Sequence, residues 1–332
     1  MELNGINSQT NSVAIREKIY NAALRSQLEP YLLAQQFVDV VEGFTDGEVF
    51  VDIEIGNATV RDYVEGTDIV LEGLDMASRE FRINRYKQSG HYITEKFAQD
   101  SYVSAKIASV VPAKEARAIA AHLEEDIFGL QAQIQKVGEA NELEGCPHRW
   151  MSGYDASNNA TVSGSLTLSD FAMASTALHK CGYFGPMVAI LPAFQEYALT
   201  QNSSFKNALG YQPLYEKVFM DGAITGTRFA FNLFGFDVYV SNFTPVVSET
   251  LNDLNGASKA GTNCGVAMFF ANIPDYRPWR MAWRMMPKFE GNWNMYKRRE
   301  EFVTVCRYGI AKGETPNFCA VLVKQDPSTV IA

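Results

Sequence analysis

Histidine is scarce in this chain: His91, His122, His148 and His179 are the four among 332 residues. A histidine-driven acid–base site therefore has few candidates. His122 stands two positions before Glu124, and no H-E-x-x-H zinc motif is present. There is no G-x-S-x-G elbow and no G-x-G-x-x-G dinucleotide fingerprint. The stretch from Gly222 to Gly226, followed by Thr227, lacks the Lys and the glycine spacing of a phosphate loop. The expectation is a protein with no catalytic residues and no cofactor.

Long apolar runs are missing as well. The longest, near Gly185 to Phe194, is broken by Pro186 and Pro192. It falls well short of the about 20 residues that span a bilayer, so no membrane is expected among the partners. Met1 leads into Glu2, Asn4, Asn7 and Gln9, without the basic and apolar segments of a secretory signal. Positive charge is also in deficit, with Lys+Arg 29 against Asp+Glu 38 and a net charge of −9. An acidic chain is a poor whole-surface ligand for nucleic acid. Lys297, Arg298 and Arg299 form a short basic run that Glu300 and Glu301 neutralise at once.

Five cysteines, Cys146, Cys181, Cys264, Cys306 and Cys319, are widely scattered, and free thiols in a reducing compartment are expected. Cys146-Pro147-His148 and His179-Lys180-Cys181 suggest two halves of a zinc site. Their one-residue spacings are not the usual C-x₂₋₄-C, so free thiols are favoured and no metal is expected. Trp279, Trp283 and Trp293 lie among Arg277, Arg280 and Arg284. Stacking on bases is conceivable there, but domain packing or a subunit contact suits an acidic chain better.

What is abundant is apolar and aromatic: 47% hydrophobic residues, with 21 Phe, 15 Tyr and 4 Trp. That suits a substantial core and broad interfaces. An amphipathic stretch from Val13 to Leu33 predicts a first helix, limited by Pro30. From Gly47 the period becomes two. Val49, Val51, Ile53 and Ile55 alternate with Phe50, Asp52 and Glu54, which predicts a half-buried strand. After a loop-rich stretch, Phe81 and Ile83 alternate with Arg82 and Asn84. Together they predict a two-stranded arm, 47–93, that must lie on something else, because a lone hairpin is marginal in water.

A long helix is expected to open at Pro112. Ile119, Leu123, Ile127, Leu130, Ile134 and Val137 recur at helical spacing, and Gly138 is the expected stop. Glu115, Glu124, Glu125 and Asp126, with Lys114 and Arg117, decorate its other sides, and the consecutive acids 124–126 read as a solvated face or as salt-bridge partners. Residues 138–165 read as loop, Leu166 to Lys180 as helix, Met187 to Leu191 as a buried strand and Pro192 to Thr200 as a short helix. Strands are expected at Phe234 to Val240 and Val266 to Ile273, with a polar surface loop from Ser248 to Thr262 between them. Residues 274–293 look like a local insertion. A long strand, Arg298 to Tyr308, should turn at Gly309 and Gly313 and pair with Phe318 to Val323. The mixture is α+β.

This order resembles that of the major capsid protein of tailed bacteriophages, the Hong Kong 97-type shell fold. Locally, Gly47-Glu48-Val49-Phe50-Val51, Ala58-Thr59-Val60-Arg61-Asp62-Tyr63 and Gly66-Thr67-Asp68-Ile69 are similar to that family's extended-loop entry. The run Ala113 to Asp126 resembles its spine helix. Phe234 to Ser241 resembles an axial-domain strand, and Tyr308-Gly309 with Ala320-Val321-Leu322-Val323 resemble its closing strands. The resemblance implies an N-terminal arm (1–46), an extended loop (47–93), a peripheral domain with the spine helix (94–165), an axial domain (166–265) and closing strands returning to the peripheral domain (266–332).

It also implies a virion protein, assembled in the host bacterial cytoplasm. Copies would form the pentamers and hexamers of an icosahedral head around double-stranded DNA, touched only non-specifically. Further partners would be a portal, scaffolding and, in some members, decoration proteins. No scaffolding extension precedes Met1, so scaffolding is expected from another chain or a removed segment. Some members cross-link Lys to Asn; Lys87 lies in the arm, but no motif carries that chemistry over. A nanocompartment shell of the same fold and an unrecognised α+β enzyme are the alternatives. Finally, Arg79, Arg82, Arg85 and Lys87 on the arm face an expected acidic partner, Glu124, Glu125 and Asp126 on the long helix. That contact is expected between subunits.

Overall fold

The computed structural model describes residues 33–41, 47, 49–55, 60–62, 65–66, 68, 73, 76–100, 104–133, 142–143, 146–152, 164–201, 229–254, 256, 258–274, 276–313 and 317–324. The predicted first helix, except for Leu33, lies outside them. So do Ile134, Val137 and Gly138.

The strands in chain order are β1 (Asp39–Val40), β2 (Val49–Ile55), β3 (Met76–Arg82), β4 (Arg85–Thr94), β5 (Glu142–Leu143), β6 (Cys146–Pro147), β7 (Arg149–Met151), β8 (Met187–Pro192) and β9 (Phe229–Leu233). They continue with β10 (Phe236–Ser241), β11 (Val246–Val247), β12 (Thr250–Asn252), β13 (Ser258–Ala260), β14 (Cys264–Ala271), β15 (Trp279–Asn294), β16 (Arg299–Lys312) and β17 (Phe318–Lys324). The helices are α1 (Glu95–Asp100), α2 (Ser104–Gly129), α3 (Leu168–Lys180) and α4 (Ala193–Gln201).

A sheet in the order β7-β17-β14-β8-β10-β9, with β11 beside β14, forms the centre. Every residue of β14 is buried. The two-residue period of a strand divides them between two cores. Val266, Met268 and Phe270 enter one, with Val188 and Ile190 of β8 and Phe318, Ala320 and Leu322 of β17. Ala267, Phe269 and Ala271 enter the other, with Ala189, Leu191, Val321 and Val323.

Helix α3 covers the second face through Phe171, Ala174, Ala177 and Leu178. Phe171 and Phe236 meet Phe269 edge-on, at ring-centroid distances of 5.0 and 5.2 Å. The helix start is set by Asp170, which accepts from Thr167 N–H at 2.8 Å and from its hydroxyl at 2.9 Å. Asp170 also accepts from Trp150 Nε1 at 2.8 Å, so a buried carboxylate ties α3 to β7.

The first face is covered by α2 and by the four-stranded sheet β1-β15-β16-β4. Ile119, Leu123, Ile127 and Leu130 are buried, as their spacing predicts. The helix begins at Ser104, so Pro112 lies inside it; its 26 residues extend about 39 Å. Trp279 seals this core, with Phe128, Phe270 and Phe318 around it at centroid distances of 5.8, 4.8 and 5.7 Å.

Several local expectations give way to tertiary pairing. Most of residues 274–293, expected as a local insertion, form β15, which pairs along its length with β16. Its register shifts between Trp283 and Lys288, around Pro287, which has no N–H to give the ladder. Strand β17 pairs with β14 and β7, not with β16. The boundary expected between 265 and 266 therefore falls inside β14, and β14 and β17 share a sheet with β8 and β10. The region 138–165 contributes β7, a buried edge of that sheet. Within 248–262, β12 and β13 form a small hairpin where a loop was expected.

Phe234 is not in the strand either. With φ of 50° and 81°, Phe234 and Gly235 make the two-residue turn between β9 and β10. Gly309 is not a turn residue: it lies inside β16, where the chain between β3 and β4 crosses. A Cβ there would stand 2.6 Å from the Arg82 carbonyl oxygen and 3.0 Å from Ile83 Cα. Gly309→Val is expected to cost about 1–3 kcal/mol, read from urea unfolding, because backbone rather than a flexible side chain blocks the space.

Candidate assembly surfaces

The acidic residues of α2 point in different directions, since neighbouring helical positions diverge by about 100°. Glu124 is fully buried rather than solvated. Its carboxylate accepts from Leu33 N–H at 2.6 Å and from the Ser241 hydroxyl at 3.3 Å, tying the segment before β1 and the end of β10 to the helix. Glu125 is exposed and lies 3.5 Å from His122. Asp126 faces the four-stranded sheet, as does Glu115, 11 positions earlier and so about three turns away on the same side.

These two carboxylates anchor a polar seam. Asp126 Oδ1 lies 3.5 Å from Arg85 Nη1, and its Oδ2 lies 3.1 Å from Lys87 Nζ. The Tyr308 hydroxyl donates to Asp126 at 2.8 Å. Further along, the Thr304 hydroxyl donates to Glu115, and His91 Nε2 lies 3.2 Å from the other carboxylate oxygen. Residues 85, 87 and 91 share one face of β4, and 304, 306 and 308 share one face of β16. Burial pushes the Cys306 thiol up to about 11. Burial and the Asp126 hydrogen bond push Tyr308 upward too, and burial raises Glu115 against the opposing pull of Thr304 and His91.

The basic residues of the expected inter-subunit contact thus divide. Arg85 and Lys87 are not on the hairpin; they lie on β4 and meet Asp126 of their own chain. The correction has a simple cause: β4 pairs with β16, and β16 packs on α2, so the chain folds these residues onto its own helix. Arg82 is on β3, largely exposed, with Glu80 at 2.5 Å. For Arg79 the backbone register is described, opposite Asp52.

The arm itself is present. Strands β2 and β3 pair antiparallel from Val49↔Arg82 to Ile55↔Met76 and form a sheet of their own. Val49 and Val51, expected to be half-buried, are 44% and 52% exposed in the single chain. Its root is fixed by Phe81 and Ile83, buried against Ala282. A second exposed apolar region sits at the end of the β15–β16 hairpin, where Met295 is uncovered and Tyr296 fully so. Trp279 is buried and Trp283 packs on Tyr308, so the tryptophan–arginine region serves packing at these positions; Trp293 is exposed.

The five cysteines are all free. Among the described residues, no group of three or more His, Cys, Asp or Glu side chains is placed to hold a metal ion, and no helix is long and apolar enough to cross a membrane. The two Cys/His tripeptides do adjoin, through Cys181 and His148.

No family model matches the chain, and no curated protein matches it in sequence. Solved structures do match in fold. The capsid structure of cyanophage P-SCSP1u superposes with a TM-score of 0.61 at 15% identity, over 89% of each chain. The mature capsid of bacteriophage PhiM1 gives 0.59 at 10% identity, over 89% of this chain and 88% of that one. The capsid of Ralstonia phage GP4 gives 0.56 at 12%, over 88% of each. The chain has the fold of tailed-phage capsid subunits.

Two outcomes test the seam. Asp126→Ala strands the buried Tyr308 hydroxyl and is expected to cost about 1–3 kcal/mol in urea unfolding; Glu125→Ala should stay within about 0.5 kcal/mol. Because folding raises Glu115 above the ordinary value of 4.5, its contribution to stability is present below that value and is lost as pH rises through the folded-state value. Glu115→Gln should therefore lose less stability than the parent as pH rises from 4.5, measured by unfolding at each pH.

Proposed function

We propose that this chain is the major head protein of a tailed phage, a non-enzymatic shell subunit. Its copies would form pentamers and hexamers of an icosahedral head around double-stranded DNA. The observation that carries the reading is a capsid fold over nine-tenths of the chain with a hairpin whose Val49 and Val51 stay exposed in the single chain. An uncovered two-stranded ribbon gains stability by lying on a neighbour. The net charge of −9 suits a wall against which DNA is packed without adhering.

In this reading β2 and β3 are the extended loop, while α2 with β4, β15 and β16 forms the peripheral part. The seven-stranded sheet with α3 forms the axial part, and residues 1–46 the N-terminal arm. Arg79, Arg82 and Glu125 are the members of the expected charge contact kept as inter-subunit candidates. Arg85, Lys87, Glu124 and Asp126 serve the fold of one chain. A portal, a scaffolding protein and in some heads a decoration protein are the further partners, with assembly in the host cytoplasm.

The full chain, expressed with its scaffolding partner, should give hexamers, pentamers or closed particles in negative-stain micrographs. Val49→Asp with Val51→Asp should abolish particles while leaving the unfolding midpoint of the free subunit within a few degrees of the parent. A parent that stays monomeric under crowded conditions with scaffold, or a double variant that assembles normally, would sink the reading.

A further inference from the structure

The two Cys/His tripeptides hold a chemistry that the shell reading leaves unused. Cys181 ends α3, and its N–H donates to Ala177 O at 3.2 Å. Gly182, at φ +84°, then turns the chain, with its N–H on His179 O at 2.9 Å and the Tyr183 N–H on Leu178 O at 3.1 Å. His148 sits between β6 and β7, where its carbonyl accepts from Ala320 N–H at 2.9 Å. Both backbones are therefore pinned to regular structure before their side chains meet.

Cys181 Sγ lies 3.3 Å from His148 Nε2. The other ring nitrogen, Nδ1, lies 2.9 Å from the Cys146 carbonyl oxygen. A carbonyl only accepts, so Nδ1 carries the proton and Nε2 turns its lone pair to the thiol. A nucleophile, a base and a group that fixes the base's tautomer are thus in line, the arrangement that activates a cysteine. Exposure separates this thiol from the others: Cys181 is partly exposed, whereas Cys146, Cys264, Cys306 and Cys319 are buried. Among the groups near it are Cys319 from the sheet, with His179 and Lys180 on its own last turn. The negative end of α3 lies at Cys181 itself, where it favours the imidazolium and opposes the thiolate, so a lowered midpoint has to come from His148.

We propose that Cys181 is a nucleophilic thiol, activated by His148, that exchanges with low-molecular-weight disulfides. In the step, the Sγ proton passes to Nε2 and Sγ attacks one sulfur of the disulfide. The S–S bond breaks, a Cys181 mixed disulfide forms, and the departing thiolate takes the proton back from the imidazolium. One protein thiol and one disulfide become one mixed disulfide and one free thiol.

The probe is 5,5′-dithiobis(2-nitrobenzoate), added to the full-length protein, with release of the coloured thiolate followed from pH 5 to 9. One thiol per subunit should react in a fast phase, located at Cys181 by peptide mass spectrometry. Its pH midpoint should lie below the about 8.5 of an ordinary thiol. Cys181→Ser should remove the phase and Cys306→Ser should leave it. His148→Gln should slow it about tenfold and return the midpoint to the ordinary range. The proposal fails if the fast phase survives Cys181→Ser, or if His148→Gln changes neither rate nor midpoint. It fails on the parent alone if the midpoint is that of an ordinary thiol.

Discussion

Strand β14 has no solvent face, and the rest of the structure answers that constraint. A strand buried on both sides needs cover on both sides, and here α3 supplies one layer while α2 with the long β15–β16 pair supplies the other. Its alternation of large and small residues sets how close each layer can come: Ala267 and Ala271 leave room for the rings of Phe171 and Phe236 around Phe269. On the opposite face Phe270 requires the aromatic cage completed by Trp279 and Phe128. Deleting one of these rings would cost about 3–5 kcal/mol, a large part of a domain's net stability.

Polar groups then fix how the layers are turned relative to one another. Apolar packing alone tolerates sliding, whereas a buried carboxylate has few acceptable positions. Glu115 and Asp126 meet β16 and β4 at two heights, Glu124 meets Leu33 and the end of β10, and Arg149 adds a bidentate contact of 2.7 Å to Glu249 while donating to Gln131 after α2. The helix is thereby held at defined heights against both sheets. Charges read from the sequence as a solvated face or as salt-bridge partners are in large part internal fasteners.

The fold was legible where local pattern and tertiary role coincide. The apolar spacing from Ile119 to Leu130, the unbroken run at β8 and the alternation at β2 belong to elements the structure contains. Order of elements carried the resemblance to capsid proteins further than any single motif, and the structural matches agree in fold at 10–15% identity. What could not be read was partner choice among strands. Nothing local tells β17 to pair with β14 rather than with β16, or marks Trp279 to Asn294 as a strand despite Pro287. The partner of the basic residues was hidden in a similar way: Arg85 and Lys87 carry the right sign, but that they meet Asp126 of their own chain depends on β4 joining β16. The signal that existed was periodic, in Thr304, Cys306 and Tyr308 on one face and in the three-turn spacing of Glu115 and Asp126.

The hairpin of β2 and β3 has a mechanical consequence. Its described strands are seven residues long on each side, about 23 Å, and Phe81 and Ile83 clamp the root, where Ile83 crosses Gly309. Such a ribbon is a cantilever. A rotation of about five degrees at the clamp displaces the far end by about 2 Å while no side chain in either core changes its neighbours. A compliant beam on a stiff mount can meet a neighbour at more than one angle, with the misfit taken up by bending and not by repacking.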